Sequence, residues 1–243
     1  MIRNRGKKPA CRRWLMEGIA NFRDLGGYAC NCGVTGYGIF FRSTSLEGAT
    51  AQDILCMEQI GITAVIDLRY PQEAKEKPDK LGEEMKYYNC SFMGNTPLEG
   101  LKVVNNTVRD TKTLIRMYKL MLRNGKEEIR RAFEILAEEE GAVLFHCAAG
   151  KDRTGVLAML LLSVVEVEKE DICTDYQCSS AYITKFTDDI SGSNITNMQR
   201  LISWVEKEWG SPVDYLKSIG VSDKNIQKIK AKFVEHPDLY VNG

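Results

Sequence analysis

The chain has 243 residues, a length that suits one large domain or one domain with a smaller appendage. Hydrophobic residues make up 44% and charged residues 27%, which is typical of a globular protein. Lysine plus arginine and aspartate plus glutamate both total 33, so the net charge favours neither nucleic acid nor a membrane surface as a partner. Any anion-binding site must therefore be built from a local arrangement of charges.

The first predicted elements are two short strands and a helix. Segment 27–43 is rich in glycine and aromatic residues, which predicts a hairpin or two short strands. Segment 50–61 predicts a helix, in which Thr50 is suited to cap the amino terminus with Asp53 three residues later. Gly61 suits the left-handed residue that often follows the end of a helix.

Strands and helices then alternate along the chain. β-branched and aromatic segments predict strands at 62–69 and 87–92, and helical spacing of apolar residues predicts helices near 111–122 and 127–139. The continuously apolar segment 142–147 predicts a strand buried on both faces, and an apolar helix follows it. This alternation predicts an α/β fold with a mainly parallel central sheet flanked by helices.

A C-terminal helical extension is expected after a linker-like SGSN stretch. The pattern changes after about residue 188, and helices are predicted near 196–208, 212–219 and 223–234. We therefore expect an α/β core over 1–188 and a helical subdomain over 189–243 that packs on it.

Neither export nor a metal site is indicated. The basic amino terminus is followed by no apolar segment, and the longest apolar run, 156–165, is about half of the ~20 residues that a membrane span needs. We expect a cytoplasmic protein without stable membrane insertion, although export by another route leaves the same sequence. The eight cysteines are then expected to be reduced thiols. Cys30 and Cys32 have no second pair at metal-ligand spacing, so no metal or other cofactor is expected.

The stretch FHCAAGKDRTGVL, 145–157, joins the buried strand to the apolar helix. A helix is expected to begin near Thr154, and five residues separate Cys147 from Arg153: Ala148, Ala149, Gly150, Lys151 and Asp152. Two alanines and a glycine permit tight backbone curvature, so successive N–H groups can turn inward as an anion-binding nest beside the helix amino terminus. Arg153 can then offer a planar fork to two phosphate oxygens.

The same positive field would act on Cys147. A free thiol has a pKa of ~8.5, and helix amino termini or cationic neighbours lower it to roughly 3.5–7.5, so we expect a thiolate at neutral pH. The alternative is an ordinary turn with a buried cysteine, in which Gly150 is a turn residue and Thr154 a helix cap. That alternative leaves three consecutive charges, 151–153, without a purpose at the sheet edge where α/β proteins bind ligands.

These residues follow the pattern His-Cys, five residues, Arg, then Ser or Thr, and the chain thereby resembles the cysteine-dependent protein tyrosine phosphatase superfamily. HCAAGKDRTG, preceded by NFRDLGG (21–27), FFRS (40–43) and IDLRYPQE (66–73), is similar to a narrower group of bacterial tyrosine phosphatases. That group is related to phosphatases secreted by mycobacterial and listerial pathogens, and several members have dual or lipid specificity. The resemblance covers roughly 21–234, including the C-terminal helices.

The resemblance implies roles for the residues of the signature. Cys147 would be the nucleophile that forms a phosphocysteine intermediate, and Arg153 would bind the transferring phosphoryl group. Thr154 would donate its hydroxyl to the sulfur, and His146 would either fix the loop or be an ordinary buried histidine. Phosphate, sulfate or vanadate is expected in the loop, with contacts from Ala148, Ala149, Gly150, Lys151 and Thr154.

The general acid is less clearly marked. Upstream of the signature, segment 91–110 holds Glu99 and Asp110 without a recognisable acid-loop motif, whereas the resembling group carries an aspartate at the position of Asp152. We therefore favour Asp152 over Asp110. A phenol, with a pKa of ~10, needs less acid assistance than an alkoxide, which favours phosphotyrosine as substrate over phosphoserine or phosphothreonine. Lys151 is either a contact for the further phosphates of a phosphoinositide or a solvated cation.

Charges in the upstream motifs are candidates for a supporting role, because charges beside apolar segments usually need partners. The motif NFRDLGG supplies Arg23 and Asp24, and IDLRYPQE supplies Asp67, Arg69 and Glu73. We expect Asp24 or Glu73 to hold the guanidinium of the signature arginine. The alternative is that these charges pair with one another.

The leading hypothesis is a phosphatase that acts on phosphotyrosine, and a phosphoinositide phosphatase is the second. A rhodanese-like sulfurtransferase is disfavoured because its loop usually has one residue fewer before the cationic position. A binding module without activity receives no support, since Cys147, Arg153 and Thr154 are all present.

Overall fold

The computed structural model describes residues 11–31, 33–93, 111–183 and 194–236. The elements of this part of the chain run in the order β1 (Arg23–Asp24), β2 (Ala29–Cys30), β3 (Gly33–Thr35), β4 (Phe40–Ser43), α1 (Ala51–Gln59), β5 (Ile62–Asp67), α2 (Pro71–Glu76), β6 (Lys86–Asn89), α3 (Thr111–Asn124), α4 (Lys126–Glu138), β7 (Ala142–His146), α5 (Asp152–Val164), α6 (Lys169–Tyr182), α7 (Ile195–Trp209), α8 (Pro212–Ser218), α9 (Asp223–Phe233) and β8 (Val234–Glu235).

The central sheet has five strands in the order β1-β4-β7-β5-β6. Strands β4, β7, β5 and β6 are parallel, and only β1 pairs antiparallel, at one edge. The predicted α/β fold with a mainly parallel sheet is therefore confirmed. Ser43 lies opposite His146, and Asp67 lies opposite both His146 and Asn89, so the carboxyl ends of four strands form one continuous edge.

Alternate residues of the central strands pack on opposite faces of the sheet. Phe40 and Phe145 belong to a large core cluster with helices α3 to α9, whereas Phe41 and Leu144 belong to a smaller cluster on the side of α1. Both faces are thus covered by apolar groups. This explains why the strand segments are continuously apolar in sequence.

The C-terminal helices share the large core. The ring of Phe233 meets Phe40 edge-on with centroids 4.8 Å apart, and Tyr215 Oη donates to the carbonyl oxygen of Leu122 at 2.7 Å. The expected boundary at residue 188 lies outside the described residues, so the division into two units stays a prediction.

Several local features follow the sequence signals. The Thr50 side chain and Asp53 form the capping box of α1, and Gly61 has a φ of +87°. The helix after the signature cysteine begins at Asp152 rather than near Thr154 as expected. The earlier start is favourable because a carboxylate in the first turn interacts with the positive end of the helix dipole.

Helix α6 was not predicted, because its buried face carries polar groups at positions where an amphipathic pattern requires apolar ones. These include Asp175 and Ser179, which are 1% and 0% exposed. Asp175 lies between two buried arginines: Arg23 Nε contacts its Oδ1 at 2.8 Å, and Arg42 Nη1 contacts its Oδ2 at 2.5 Å. Tyr28 Oη donates to the same carboxylate at 3.2 Å. We call Arg23, Asp175 and Arg42 the buried charge cluster.

The charge of Asp175 is fixed by these partners. Burial alone would raise the pKa of its carboxyl, but the charges and hydrogen bonds of Arg23 and Arg42 hold it well below its ordinary value. A carboxyl whose pKa is depressed by folding stabilises the folded state above the unfolded-state pKa of ~3.9, and this contribution is lost as the pH falls.

In the part of the chain that the structure describes, no helix is long and apolar enough to cross a bilayer. The cytoplasmic location expected from the sequence stays a prediction. The cysteines described there, seven of the eight, are free thiols.

Replacing Asp175 with asparagine should lower the free energy of unfolding by about 3–5 kcal/mol, because two buried guanidinium groups lose their counter-charge. The control Asp171→Asn removes a carboxylate from the first turn of the same helix and should cost less than about 1 kcal/mol. Urea denaturation at pH 7 measures both values. The difference in unfolding free energy between Asp175→Asn and the wild type should shrink below about pH 4, where the stabilisation from the ionised Asp175 begins to be lost. A loss at pH 7 equal to that of the control would contradict the assigned role.

Candidate active site

The loop between β7 and α5, residues 147–151, is here called the cysteine loop. Its carbonyl oxygens are held from behind by groups of two other segments. The backbone N–H of Ser45 donates to the oxygen of Ala148 at 3.1 Å, and Asn21 Nδ2 donates to the oxygens of Ala149 and Gly150 at 3.3 and 2.9 Å. Three consecutive carbonyl groups therefore point away from the space above the sulfur.

The buried charge cluster holds the same loop. Arg42 Nη2 donates to the carbonyl oxygen of Gly150 at 2.8 Å while its Nη1 binds Asp175. Arg23 Nη1 donates to the side-chain oxygen of Asn21 and thereby orients the amide that binds the loop. Arg23 thus supports the loop from behind, through Asn21.

The N–H groups of the cysteine loop consequently face the anion site. In a trans peptide the C=O and N–H groups point in opposite directions, and the described residues contain no cis peptide bond. Outward carbonyl groups on residues 148–150 thus direct the N–H groups of residues 149–151 inward. The amino terminus of α5 adds its unpaired donors to this nest.

Only glycine fits at position 150. Its φ is +62°, in the left-handed region, and a Cβ there would lie 2.1 Å from the carbonyl oxygen of Ser43. This close approach of two backbone segments brings the loop against the carboxyl end of β4.

Cys147 lies at the base of the nest and is 2% exposed. Burial alone would raise the pKa of its thiol, but the Arg153 charge and hydrogen bonds from the Thr154 hydroxyl and backbone N–H outweigh burial and lower the pKa. The Thr154 hydroxyl is itself buried. The shift is in the direction that favours a thiolate, and the thiolate at neutral pH stays a prediction.

Glu73 holds the signature arginine. Its two carboxylate oxygens accept from Arg153 Nη1 at 2.6 Å and Nη2 at 3.1 Å, which is a bidentate ion pair. Burial alone would raise the pKa of Glu73, but contact with Arg153 lowers it. The carboxylate is set in place by the start of α2, where it also accepts from the backbone N–H of Tyr70 at 2.9 Å.

Asp24, the other carboxylate expected to bind the arginine, is placed elsewhere. It accepts from the backbone N–H groups of Gly26 at 2.7 Å and Gly38 at 2.6 Å, and so fixes a turn next to β1. Of the two carboxylates expected to hold Arg153, Asp24 or Glu73, it is therefore Glu73 that forms the ion pair, while Asp24 binds backbone amides of the turn.

Asp152 has a partner that the sequence did not indicate. Tyr118 Oη, on α3, donates to Asp152 Oδ1 at 2.5 Å and lies 2.6 Å from Tyr176 Oη on α6. Burial and the neighbouring charge of Asp152 raise the pKa of Tyr118, so its hydroxyl remains a proton donor to the carboxylate. Lys151 Nζ lies 3.8 Å from the other oxygen, Oδ2, and the lysine side chain is only 12% exposed. The alternative acid Asp110 lies outside the described residues.

His146 belongs to a second buried network beneath the loop. Its Nδ1 is 3.3 Å from the carbonyl oxygen of Cys147, and its Nε2 is 3.0 Å from Asp79 Oδ2. Burial alone would lower the pKa of this imidazole, but contact with Asp79 raises it. Ligand atoms of Asp67, Asp79 and His146 lie within 4.8 Å of one another, a spacing that suits a metal ion. Arg69, however, already binds both carboxylates, at 2.8 and 2.9 Å.

Four residues that build the site were not predicted: Asn21, Arg42, Tyr118 and Asp175. Asn21 and Arg42 lie inside the motifs NFRDLGG and FFRS, so their positions were marked although their roles were not. Tyr118 and Asp175 reach the site from distant helices, and nothing in the local sequence distinguishes them from core residues.

The tyrosine phosphatase family model matches residues 14–235, and the chain belongs to this family. It is 28% identical over 229 residues to a tyrosine-protein phosphatase of Nostoc commune, covering 84% of this chain and 77% of that protein. It is 22% identical over 269 residues to the triple specificity protein phosphatase PtpB of Mycobacterium tuberculosis, covering 88% and 96%. The crystal structure of P. aeruginosa TpbA is similar with a TM-score of 0.35 and 16% identity, covering 79% of this chain and 99% of that one. The match to the family model confirms the resemblance drawn from the signature motifs.

Replacing Glu73 with glutamine should reduce kcat/KM for an aryl phosphate by about 10- to 100-fold, because Arg153 loses a bidentate, charge-assisted partner worth about 1.4–2.7 kcal/mol. Inhibition by orthovanadate should weaken in parallel. The control Glu76→Gln lies on the same helix, where Glu76 accepts from Gln72, and should leave both values unchanged. Equal kinetics for Glu73→Gln and the control would show that this ion pair does not position the guanidinium.

Alkylation by iodoacetamide should begin at a lower pH at Cys147 than at an ordinary thiol of pKa ~8.5. Burial raises the pKa of Cys90 to about 12 and that of Cys173 to about 11, so neither should react at pH 7. Thr154→Val removes a hydrogen bond to the sulfur and should move the midpoint up by about 0.5–1 pH unit. Mass spectrometry of peptides alkylated across a pH series measures this. A wild-type midpoint at or above that of a free thiol would contradict the thiolate assignment.

Proposed function

We propose that this protein hydrolyses phosphotyrosine through a phosphocysteine intermediate at Cys147. The observation that carries the proposal is the position of the sulfur beneath the inward-facing N–H groups, with the Arg153 guanidinium fixed by Glu73. A dianionic phosphoryl group placed there would meet donors on its equatorial oxygens and a nucleophile in line with its leaving group. Membership of the tyrosine phosphatase family supports the same reaction.

In the first step the Cys147 thiolate attacks phosphorus, so an S–P bond forms and the P–O bond to the phenolic oxygen breaks. The protonated carboxyl of Asp152 gives its proton to that oxygen, and tyrosine leaves as the neutral phenol. Tyr118 acts as a positioning residue, since its hydrogen bond fixes one oxygen of Asp152 and orients the other. Arg153 and the loop N–H groups stabilise the charge that builds on the phosphoryl oxygens.

In the second step a water molecule attacks the phosphocysteine. The ionised Asp152 takes a proton from the water, a new P–O bond forms, and the S–P bond breaks to release inorganic phosphate and the Cys147 thiolate. The buried Thr154 hydroxyl can donate to the departing sulfur, which stabilises it as an anion. This mechanism requires no cofactor.

The depth of the sulfur favours an aryl phosphate. Because Cys147 is 2% exposed, its phosphorus must be carried on a side chain long enough to reach the base of the nest. The phosphotyrosine ring provides that length, and the phenol is a better leaving group than an alkoxide. Phosphoserine and phosphothreonine are shorter and leave less readily.

A phosphoinositide is the second candidate substrate. The Lys151 ammonium lies beside Asp152 at the rim and adds a cation that a neighbouring phosphate of the headgroup would contact. PtpB of Mycobacterium tuberculosis, a relative at 22% identity, is described as a triple specificity phosphatase, which is compatible with more than one substrate class.

The test is turnover of a series of aryl phosphates with leaving groups of increasing pKa, in buffer containing a chelator, together with phosphotyrosine, phosphoserine and phosphoinositide substrates. Wild type should hydrolyse the aryl phosphates and phosphotyrosine. Cys147→Ser should lose at least about 10³-fold in kcat, because it removes the nucleophile. Asp152→Asn should lose more activity as the leaving group becomes more basic, by about 10²-fold for the poorest, because it lacks the proton donor.

A phosphorylated Cys147 should be trapped by rapid acid quench and found by mass spectrometry. Activity that survives in Cys147→Ser would contradict the nucleophile. An equal loss across all leaving groups in Asp152→Asn would contradict the acid. Turnover of thiosulfate in place of phosphate esters would instead support a sulfurtransferase.

A further inference from the structure

A basic cleft lies on the surface between helices α3 and α7. It has a volume of ≈ 360 Å³ and is lined by Ile115 and four cationic side chains: Lys112, Arg116, Lys119 and Arg200. None of these four makes an ion pair or hydrogen bond with a described residue. By contrast, the neighbouring Arg123 on α3 lies 3.7 Å from Glu208 on α7.

The charges of the cleft repel one another within one helix. Lys112 and Arg116 are four residues apart, and Arg116 and Lys119 are three apart, so they are neighbours on one face of α3. Like charges at these spacings weaken a helix, and α3 contains no acidic residue to offset them. The chain has equal numbers of acidic and basic residues, but this cluster of cations gives the cleft a local positive potential. A bound anion would reduce the repulsion between the cations.

The cleft shares helix α3 with Tyr118, the partner of Asp152 next to the cysteine loop. Tyr118, on the buried face of α3, reaches Asp152, and Arg116 and Lys119 lie within one helical turn of it, about 5.4 Å along the axis. On α7, Asn197 hydrogen-bonds to Tyr176, and Arg200 follows one turn later. An extended peptide advances about 3.3 Å per residue, so a side chain five residues from the phosphotyrosine lies up to roughly 17 Å from it.

We infer that the cleft binds acidic side chains that flank the phosphotyrosine of a protein substrate. This inference rests on the proposed function and specifies its substrate class. Four cations in a concave surface complement several carboxylates carried on one extended chain, and the charges would raise both the encounter rate and the affinity.

A bilayer fits this surface less well than a peptide does. The cleft is concave, whereas a membrane surface is flat and is usually entered by exposed apolar side chains. The exposed large hydrophobic residues among those described are Leu15, Leu55 and Tyr87, and none of them lies on α3 or α7.

Two phosphotyrosine peptides of equal length test the inference. One carries glutamate at four positions within five residues of the phosphotyrosine, and the other carries glutamine at the same positions. Wild type should hydrolyse the acidic peptide with about tenfold higher kcat/KM at 50 mM salt, through a lower KM. The ratio should fall toward one at 0.5 M salt, where screening is strong.

The double variant Lys112→Glu/Arg116→Glu should reduce the acidic-to-neutral ratio to about one or below. Both side chains are exposed, and reversing their charge leaves the buried face of α3 intact. The matched control Lys224→Glu reverses an exposed lysine on α9 and should keep the wild-type ratio. A ratio that is the same in wild type and the double variant would overturn the inference.

Binding of the unphosphorylated acidic peptide, measured by fluorescence anisotropy, separates this inference from the catalytic proposal. One outcome is that wild type binds that peptide more tightly than the double variant does and yet hydrolyses neither phosphopeptide. That result would support the cleft as a peptide-binding site and contradict the proposed reaction. If both peptides are hydrolysed and anisotropy shows no difference between wild type and the double variant, the inferred role of the cleft is contradicted and the proposed reaction is supported. Binding of phosphatidylserine vesicles that depends on Lys112 and Arg116, with an unchanged peptide ratio, would assign the cleft to a membrane surface instead.

Discussion

Asp175 lies in the interior between two arginines, and both arginines extend from it to the back of the cysteine loop. Arg42 binds the carbonyl oxygen of Gly150, while Arg23 orients the Asn21 amide that binds the same oxygen. Three buried charges are costly to desolvate, and their mutual pairing offsets much of that cost. The hydrogen bonds from Arg42 and Asn21 hold the loop carbonyl groups outward, and the N–H groups of the same peptides therefore face the anion site. The geometry of the cysteine loop therefore depends on a carboxylate that is buried behind it.

In front of the loop, the charges are arranged to favour one sulfur anion. Arg153 is held by Glu73, so its guanidinium is oriented before an anion arrives and little side-chain entropy remains to be lost on binding. The same guanidinium and the Thr154 hydroxyl lower the pKa of Cys147 against the opposing effect of burial. Cys90 is also buried but has no such partners close enough to outweigh desolvation, and burial raises its pKa to about 12. The neighbours of a cysteine, rather than its burial, therefore decide the direction in which its pKa shifts.

The helices far from the signature in sequence complete the site. Tyr118 on α3 and Tyr176 on α6 form a buried pair of hydroxyl groups that ends at Asp152, and α7 packs against both helices. The C-terminal helices thus share one hydrophobic core with the sheet. Among them, α7 packs on the two helices whose tyrosines reach the candidate acid. The basic cleft lies between α3 and α7, so a peptide bound there would lie along the helix that carries Tyr118.

The sequence by itself determined the α/β class, through the alternation of strand and helix patterns along the chain. It also marked Cys147 and Arg153 as candidate site residues, because the signature that joins them is contiguous. The apolar run 142–147, the small residues 148–150 and the following helix indicate a strand, a tight loop and a helix through local backbone preferences. Only the tertiary structure decided that Glu73 rather than Asp24 holds Arg153, and that Tyr118, Asp175 and Arg42 support the site. Those contacts join residues 34 to 133 positions apart, and they form because folding places the groups together in an interior where a buried charge must find a partner.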